Sequence, residues 1–521
     1  MAESSGGCRQ VGPDIKNYAY MKQKFPDAAA ILFLMLIFWA GICYRITLPG
    51  IYMDAVNPDY IAARILFPAL NNTVWVLPTI AFPILGNLYH GVQNLYVDIA
   101  VFKIFGISIE TLRCAQALFG AGIVIFTYGI GVRATGNRIV SFAFSALLAL
   151  DIAFISSFRT QFYIILGGEM WLFASLYVLL GNTKNGFFWS GVFYGLAIYG
   201  YFVLGFFAPA MAILVLSRPD ARPVRWIAGF VMGMLTYVVG YGSLALRLGG
   251  VHEALEWIAG ATRNLAPLSS KLSPIDSIQY TIQTAYYGLT NVGNEFMIFG
   301  TSQQSWWVKV KVAFFIIVAL VALIRLRRSK AVLLLVLPVS YVAVAALLGN
   351  RLWVHHFSVL VPIFYLLCVA VFGELTRTSV SRAAIIAVCV LVAAGNIWQS
   401  SAFYRELEIT GGTNRATSAL SDLAADAVKH ADTLYVFPDW GFFMSFALLT
   451  KNQIPYVIDL DQIRARKGAS RHIEVAFWSK DDTEKYTNAL AQNGAVNIHS
   501  ASYPTRNGKE AFFTVTGDIQ P

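Results

Sequence analysis

The sequence predicts an all-α polytopic membrane protein of about eleven transmembrane helices with a small C-terminal α/β domain. Three observations carry this. The 521 residues are 57% hydrophobic and only 13% charged, with a mean hydropathy of +0.59, far too apolar for a soluble chain of this length. Apolar runs of about 17–22 residues recur, each long enough to cross a bilayer as a helix. After residue 400 charged residues become frequent and apolar runs shrink to strand length. Alternating strands of about ten residues, the mark of a membrane barrel, do not occur.

Residues 1–27 are polar, and Lys16, Lys22 and Lys24 precede the first apolar run, which predicts a cytoplasmic N-terminus. Residues 28–48 then cross outward as a retained helix, not a cleaved signal peptide. Residues 49–110 form a long outer segment interrupted by Pro49, Pro58, Pro68, Pro78 and Pro83. Its most apolar piece, 91–105, contains Asp98 and Lys103. Counting it as a span would push several basic loops outside, so it is read as interfacial. Spans follow at 112–132, 138–156 and 163–181. Two half-length pieces, 187–201 and 203–217, meet near Tyr199-Gly200-Tyr201. Next come a span at 226–247 and a second outer loop at 248–305. The last spans are 306–325, 331–349, 352–373 and 382–400. Together, 28–400 make up the transmembrane part, and this count puts the Arg- and Lys-dense short loops on one side.

Residues 401–521 are expected outside, as strands alternating with helices. Asn414–His430 and Asp481–Gln492 read as helices. Strands are expected at Asp432–Phe437, Ile454–Leu460, His472–Trp478 and Glu510–Val515.

Most of the net charge of +10 sits in the short loops, so it reflects topology. No basic patch with interleaved aromatics appears, and nucleic acid is not expected as a partner. Cys8, Cys43, Cys114, Cys368 and Cys389 have neither metal-ligand spacing nor a disulfide framework. Asn71-Asn72-Thr73 matches a glycosylation acceptor, a triplet common by chance.

Charged groups near membrane depth are costly and therefore informative. On the outer side they gather as Asp54 and Asp59, Tyr89 and His90, Arg159 with Gln161 and Tyr163, and Arg351 with His355 and His356. Glu169 lies lower, where it is expected to pair inside the bundle. Asn57-Pro58 looks like a helix start, which gives Asp59 a role in the first turn. Asp54 lies before that start, in a loop, and has no such role. Arg159 and Arg351 are read either as head-group anchors or as phosphate ligands. Adjacent histidines diverge by about 100° on a helix, so His355 and His356 are not expected to hold one metal. A carboxylate at the interface can take a proton from a hydroxyl nucleophile, and arginine can hold a phosphate leaving group. The same groups would also suit a polytopic transporter or lipid flippase for an anionic or glycolipid substrate. Against that, the two halves show no internal repeat.

Over residues 30–400 the order of these pieces resembles the GT-C polytopic glycosyltransferases, in particular the branch of lipid A aminoarabinose transferases and protein O-mannosyltransferases. The pieces are Tyr52-Met53-Asp54 after the first span, then Tyr60-Ile61-Ala62-Ala63-Arg64. Tyr89-His90-Gly91, Phe105-Gly106 and Leu112-Arg113 follow. Later come Gly136, Ser157-Phe158-Arg159, and Arg351 through His356 with Pro362 beyond. The resemblance implies an inverting transferase moving a sugar from a polyprenyl-phosphate donor at the outer membrane face. The acceptor would be an envelope glycan such as lipopolysaccharide, a lipid or a protein. It implies Asp54 as catalytic base, with Asp59, Tyr89, His90, Arg159, Tyr163, Arg351, His355 and His356 in substrate binding. It also implies residence in a bacterial inner (plasma) membrane with the C-terminal domain periplasmic, in contact with membrane lipid. The family often has Asp-Glu in the first loop, whereas Ala55 follows Asp54 here. No metal ligand set and no required cofactor are therefore expected, although a divalent cation is compatible with the chemistry.

Overall fold

The computed structural model describes residues 27–57, 59–68, 83–159, 163–181, 183–265, 272–302, 305–325, 330–376, 379–466 and 470–519. Lys16, Lys22 and Lys24, Pro58, Pro78, the Asn71 triplet, Gln161, Arg327, Arg328 and Arg377 lie outside the described residues.

Helix α1, Asp27–Cys43, buries Ala30, Leu34, Phe38 and Ile42, a four-residue repeat that makes one inward stripe. The outer segment after it folds into short pieces: a 3-10 turn at Met53–Val56, α2 at Ile61–Leu66, a hairpin of β1, Leu85–Asn87, and β2, His90–Gly91, and α3 at Gln93–Phe105. Thirteen residues of α3 rise about 20 Å, short of the roughly 30 Å hydrocarbon core.

Helix α4, Ile109–Thr135, starts at a Ser108–Thr111 capping box and ends on Gly136 in the left-handed region. The expected 138–156 span is broken. Helix α5 covers Arg138–Ala149, and the Asp151 carboxylate then accepts the Ala153 N–H to start α6, Ile152–Ser156. The two segments bend by 51°. The cause is the new N-cap, a choice the backbone makes when Asp151 cannot lie in an apolar helix face.

Next are α7, Tyr163–Leu179, α8, Gly186–Gly200, α9, Ala208–Leu216, and α10, Pro223–Leu248. The backbone is extended at Tyr201, between α8 and the 3-10 turn that leads into α9, where the two half-length pieces were expected to meet. Helices α8 and α10 pack through glycines. A Cβ on Gly191 would meet the Trp226 carbonyl at 2.1 Å, and one on Gly229 the Phe188 carbonyl at 1.9 Å. Gly191 and Gly195 face Gly229 and Gly233, a small-xxx-small pair that lets the backbones touch.

The second expected loop is largely helical: α11, Val251–Leu265, α12, Pro274–Thr290, and α13, Val292–Phe299. Helices α14, Trp306–Arg325, α15, Lys330–Ala346, α16, Leu360–Leu375, and α17, Ser379–Thr410, complete the bundle. Among the described residues five helices are long and apolar enough to cross a membrane, or six with the bent pair, besides four shorter apolar ones. By that measure the described helices do not reach eleven spans. One expected span, 138–156, is divided at Asp151.

A charged pair sits in the bundle interior. Lys311 of α14 and Asp151 are both buried and form an ion pair. The Tyr365 hydroxyl donates to Asp151 at 2.8 Å, and Asn396 donates to the Tyr365 oxygen at 3.0 Å. Glu169 was expected to pair as well. It is fully buried, but neither carboxylate oxygen has a hydrogen-bond partner among the described residues.

After α17 come α18, Ala419–Lys429, β3, Thr433–Val436, α19, Phe443–Leu449, β4, Tyr456–Val457, β5, His472–Phe477, α20, Thr483–Gln492, β6, Ala495–Pro504, and β7, Glu510–Ile519. The strands form one sheet in the order β4-β3-β5-β7-β6, with β3 parallel to β4 and β5 and the other pairs antiparallel. This layer shares a hydrophobic core with the first outer segment. Met53, Val56, Tyr60 and Ile61 pack with Leu420, Phe443, Phe446 and Tyr456. Gly50 presses so closely on Thr417 that a Cβ would lie 1.8 Å from its carbonyl oxygen, and Ser445 Oγ donates to the Ile51 carbonyl at 2.9 Å.

Candidate active site

Asp54 lies in the 3-10 turn between these layers, half-buried between residues that are fully buried. Two buried arginines fix the chain leading to it. Arg159 donates to the carbonyls of Gly41, Ile42, Tyr44, Arg45 and Leu48, most of them the free acceptors at the end of α1. Arg113 donates to the carbonyls of Ile46 at 2.5 Å and Pro49 at 2.6 Å. The expectation that Arg159 contacts substrate phosphate is therefore revised. Its two terminal nitrogens close a helix end and shape the loop, a demand invisible until the chain is folded.

Asp54 accepts a hydrogen bond from the Tyr52 hydroxyl, and Arg415 Nη1 reaches the Tyr52 oxygen at 3.5 Å. Arg415, on the 3-10 turn Asn414–Ala416 after α17, is exposed. Burial pushes the Asp54 carboxyl up to about 6, while Tyr52 and the Arg415 charge pull it down.

Beyond Asp54 stands an aromatic wall. The Tyr89 ring is 5.4 Å from His90 and 5.6 Å from Tyr201, and His90 stacks on Tyr201 at 5.9 Å with 5° between planes. His356 Nε2 is 3.2 Å from the Tyr201 oxygen. His356 Nδ1 lies 2.9 Å from the Trp353 N and 3.2 Å from the Trp353 carbonyl oxygen. His90 Nδ1 donates to the Gly91 carbonyl at 3.0 Å, and burial lowers its pKa to about 4, so the ring is neutral near pH 7. Burial also raises the Tyr89 phenol to about 12, with the Asp54 charge adding to it.

His355 lies 4.1 Å from His356, ring to ring, closer than a helix would bring adjacent side chains, because the two sit in a 3-10 turn. Arg351 is exposed on the preceding turn, Gly349–Arg351. Tyr163 begins α7, and its side chain lies outside the described residues.

Asp59 does not line the site. It is fully buried and faces Asp98 of α3, also buried, so both the substrate role and the helix-start role expected for it are revised. Helix α2 has no side-chain cap. Two facing carboxyls require a shared proton. Burial raises both above the usual range, Asp59 to about 7, and the Asp59 charge adds to the rise of Asp98. A carboxyl raised on folding contributes stability that is full below its unfolded pKa and is lost as pH rises through the folded one. Thermal stability in detergent is therefore expected to fall as pH rises from about 4 to about 7, by about 1.4 kcal/mol per pH unit per proton released. Asp98→Asn is expected to flatten that slope; a wild-type midpoint unchanged over this range would contradict the pairing.

Asp54 brings a single carboxylate, with the Arg415 guanidinium nearby. Among the described residues no three His, Cys, Asp or Glu side chains gather as metal ligands.

No protein-family model and no curated protein sequence matches the chain. Solved structures do. ArnT from Cupriavidus metallidurans bound to undecaprenyl phosphate aligns with a TM-score of 0.56 at 12% identity, over 94% of this chain and 97% of that one. The apo state of ArnT aligns at 0.44, with the same identity and coverage. Arabinofuranosyltransferase AftD from Mycobacteria aligns at 0.39 and 14% identity, over 95% of this chain and 41% of that one. With the helical bundle, the bridging outer segment and the C-terminal sheet in place, the chain has the fold of the ArnT structure.

Proposed function

We propose that this protein is an inverting glycosyltransferase that moves a sugar from a polyprenyl-phosphate donor to an envelope glycan, lipid or protein acceptor at the outer membrane face. The observation that carries the reading is Asp54, a carboxylate on a turn of the outer segment, joined through Tyr52 to the exposed Arg415, with Tyr89 and Tyr201 within reach of its charge. The ArnT structure to which the chain is similar holds undecaprenyl phosphate, which supports a polyprenyl-phosphate partner.

In this mechanism Asp54 takes the proton of an acceptor hydroxyl as its oxygen attacks the anomeric carbon. The new C–O bond forms on the face opposite the breaking bond to phosphate oxygen, so configuration inverts. Polyprenyl phosphate leaves with the electron pair, and Arg415 stabilises its charge, the role first expected of Arg159. The Tyr201 hydroxyl, held beside His356 Nε2, orients the sugar. Tyr89 and His90 supply the flat surface against it, and Arg351 and His355 extend the phosphate-binding side.

Incubating purified protein with radiolabelled polyprenyl-phosphate sugars and envelope acceptors tests the reading. Labelled product together with free polyprenyl phosphate is the expected result. Stable binding without turnover would instead indicate carriage. Arg415→Ala is expected to raise the donor KM by roughly tenfold, the value of one charge-assisted hydrogen bond. Lysine at 415 should recover part of it, and an unchanged donor KM would remove Arg415 from the site.

A further inference from the structure

Away from Asp54, an exposed side of α17 carries two adjoining grooves. One, of about 480 Å³, runs between α17, the end of α1 and the α5–α6 break, lined by Ile37, Ala40, Tyr44 and Ile397 among others. The other, of about 550 Å³, lies along α17 beside Trp398 and Ile409. Ser401 and Arg405 line both. Four residues apart, they form a single ridge on the helix, with one groove on each side.

Arg405 is exposed, and no ion pair engages it among the described residues. The nearby Glu408 is taken up by Arg45 and Tyr44, each at 2.8 Å, so its charge is answered inside the protein. Around this cation Ile397, Trp398 and Ile409 are each about half exposed, and the Glu406 side chain also lines the second groove. Tryptophan and tyrosine with arginine nearby are the residue types that gather at the depth of lipid head groups.

We propose that this ridge is a binding site for a diacyl phospholipid, with the phosphate on Arg405 and Ser401 and one acyl chain in each groove. Two adjoining grooves that share one cation match a two-chain lipid better than a single-chain polyprenyl phosphate. The guanidinium suits the phosphate itself, whatever head group it bears. Through Tyr404, whose hydroxyl donates to the Gly41 carbonyl at 2.6 Å, the bound lipid would abut the helix end from which the Asp54 loop departs.

Native mass spectrometry of the full chain released from nanodiscs tests this, with phosphatidylglycerol as one probe and a phosphate-free glycosyl diacylglycerol as the other. Wild type is expected to retain one phosphatidylglycerol. Arg405→Gln, at an exposed position, is expected to retain roughly tenfold less, as loss of one charge-assisted contact predicts. Ala40→Trp, which fills one groove without changing charge, should also reduce retention. Equal retention by wild type and Arg405→Gln would overturn the site, as would equal retention of the phosphate-free lipid. Displacement of phosphatidylglycerol by an equimolar amount of polyprenyl phosphate would overturn the assignment to a two-chain lipid.

Discussion

Asp54→Asn is expected to lower the rate of sugar transfer by about a thousandfold or more, within the range that a positioned general base contributes. The substitution keeps size and hydrogen bonding, so the Tyr52 contact and the surrounding core should persist. Membrane insertion and thermal unfolding of the variant are expected to match wild type, which separates lost chemistry from lost fold. Asp59→Asn is expected to cost far less, because that side chain answers Asp98. In wild type, kcat/KM should rise tenfold per pH unit below about 6 and level off above it, following the carboxylate form of Asp54. Tyr52 and Arg415 both favour that form, so Tyr52→Phe should move the inflection to higher pH. Equal activity of Asp54→Asn and wild type would remove the mechanism.

Lys311→Met is expected to destabilise the bundle by about 3–5 kcal/mol, because it leaves the buried Asp151 charge without its counter-ion. Asp151 also starts α6 through the Ala153 N–H and accepts from Tyr365, so it cannot turn away. Unfolding in detergent, followed by size-exclusion fluorescence, should show the loss. The double substitution Lys311→Met with Asp151→Asn removes both charges and retains a capping oxygen. It should recover most of the stability, and failure to do so would mean that the pair serves more than charge balance.

Hydropathy made the bundle legible, because each span must hide its own backbone from lipid. It also placed the half-helix break near Tyr201 and left α3 short of a span. What it could not show depends on contacts between distant residues. Lys311 looks like an ordinary interfacial lysine until α5 and α6 bring Asp151 against it. Helix α19, apolar over only seven residues, has no period to read, and β6 is mostly exposed on both faces, so alternation never appears. The Asp54 position stood out because nothing local explained it. Asp98 counted only as a charge that argued against a span, although it faces Asp59. Arg415 lies 363 positions from Tyr52 in a polar turn with no motif, and only the folded contact selects it. Arg159 misled because an arginine at a helix end serves carbonyls as readily as phosphates.

The close fit of Gly50 on Thr417 and of Ser445 on Ile51 also bears on biosynthesis. The turn bearing Asp54 emerges early in translation, but the side chain that holds its Ile51 carbonyl arrives 394 residues later. Until then Met53, Val56 and Tyr60 have no cover from Phe443 and Phe446. A nascent chain with α1 to α17 already inserted would still lack the packing that sets Asp54, so catalytic competence would wait for α19.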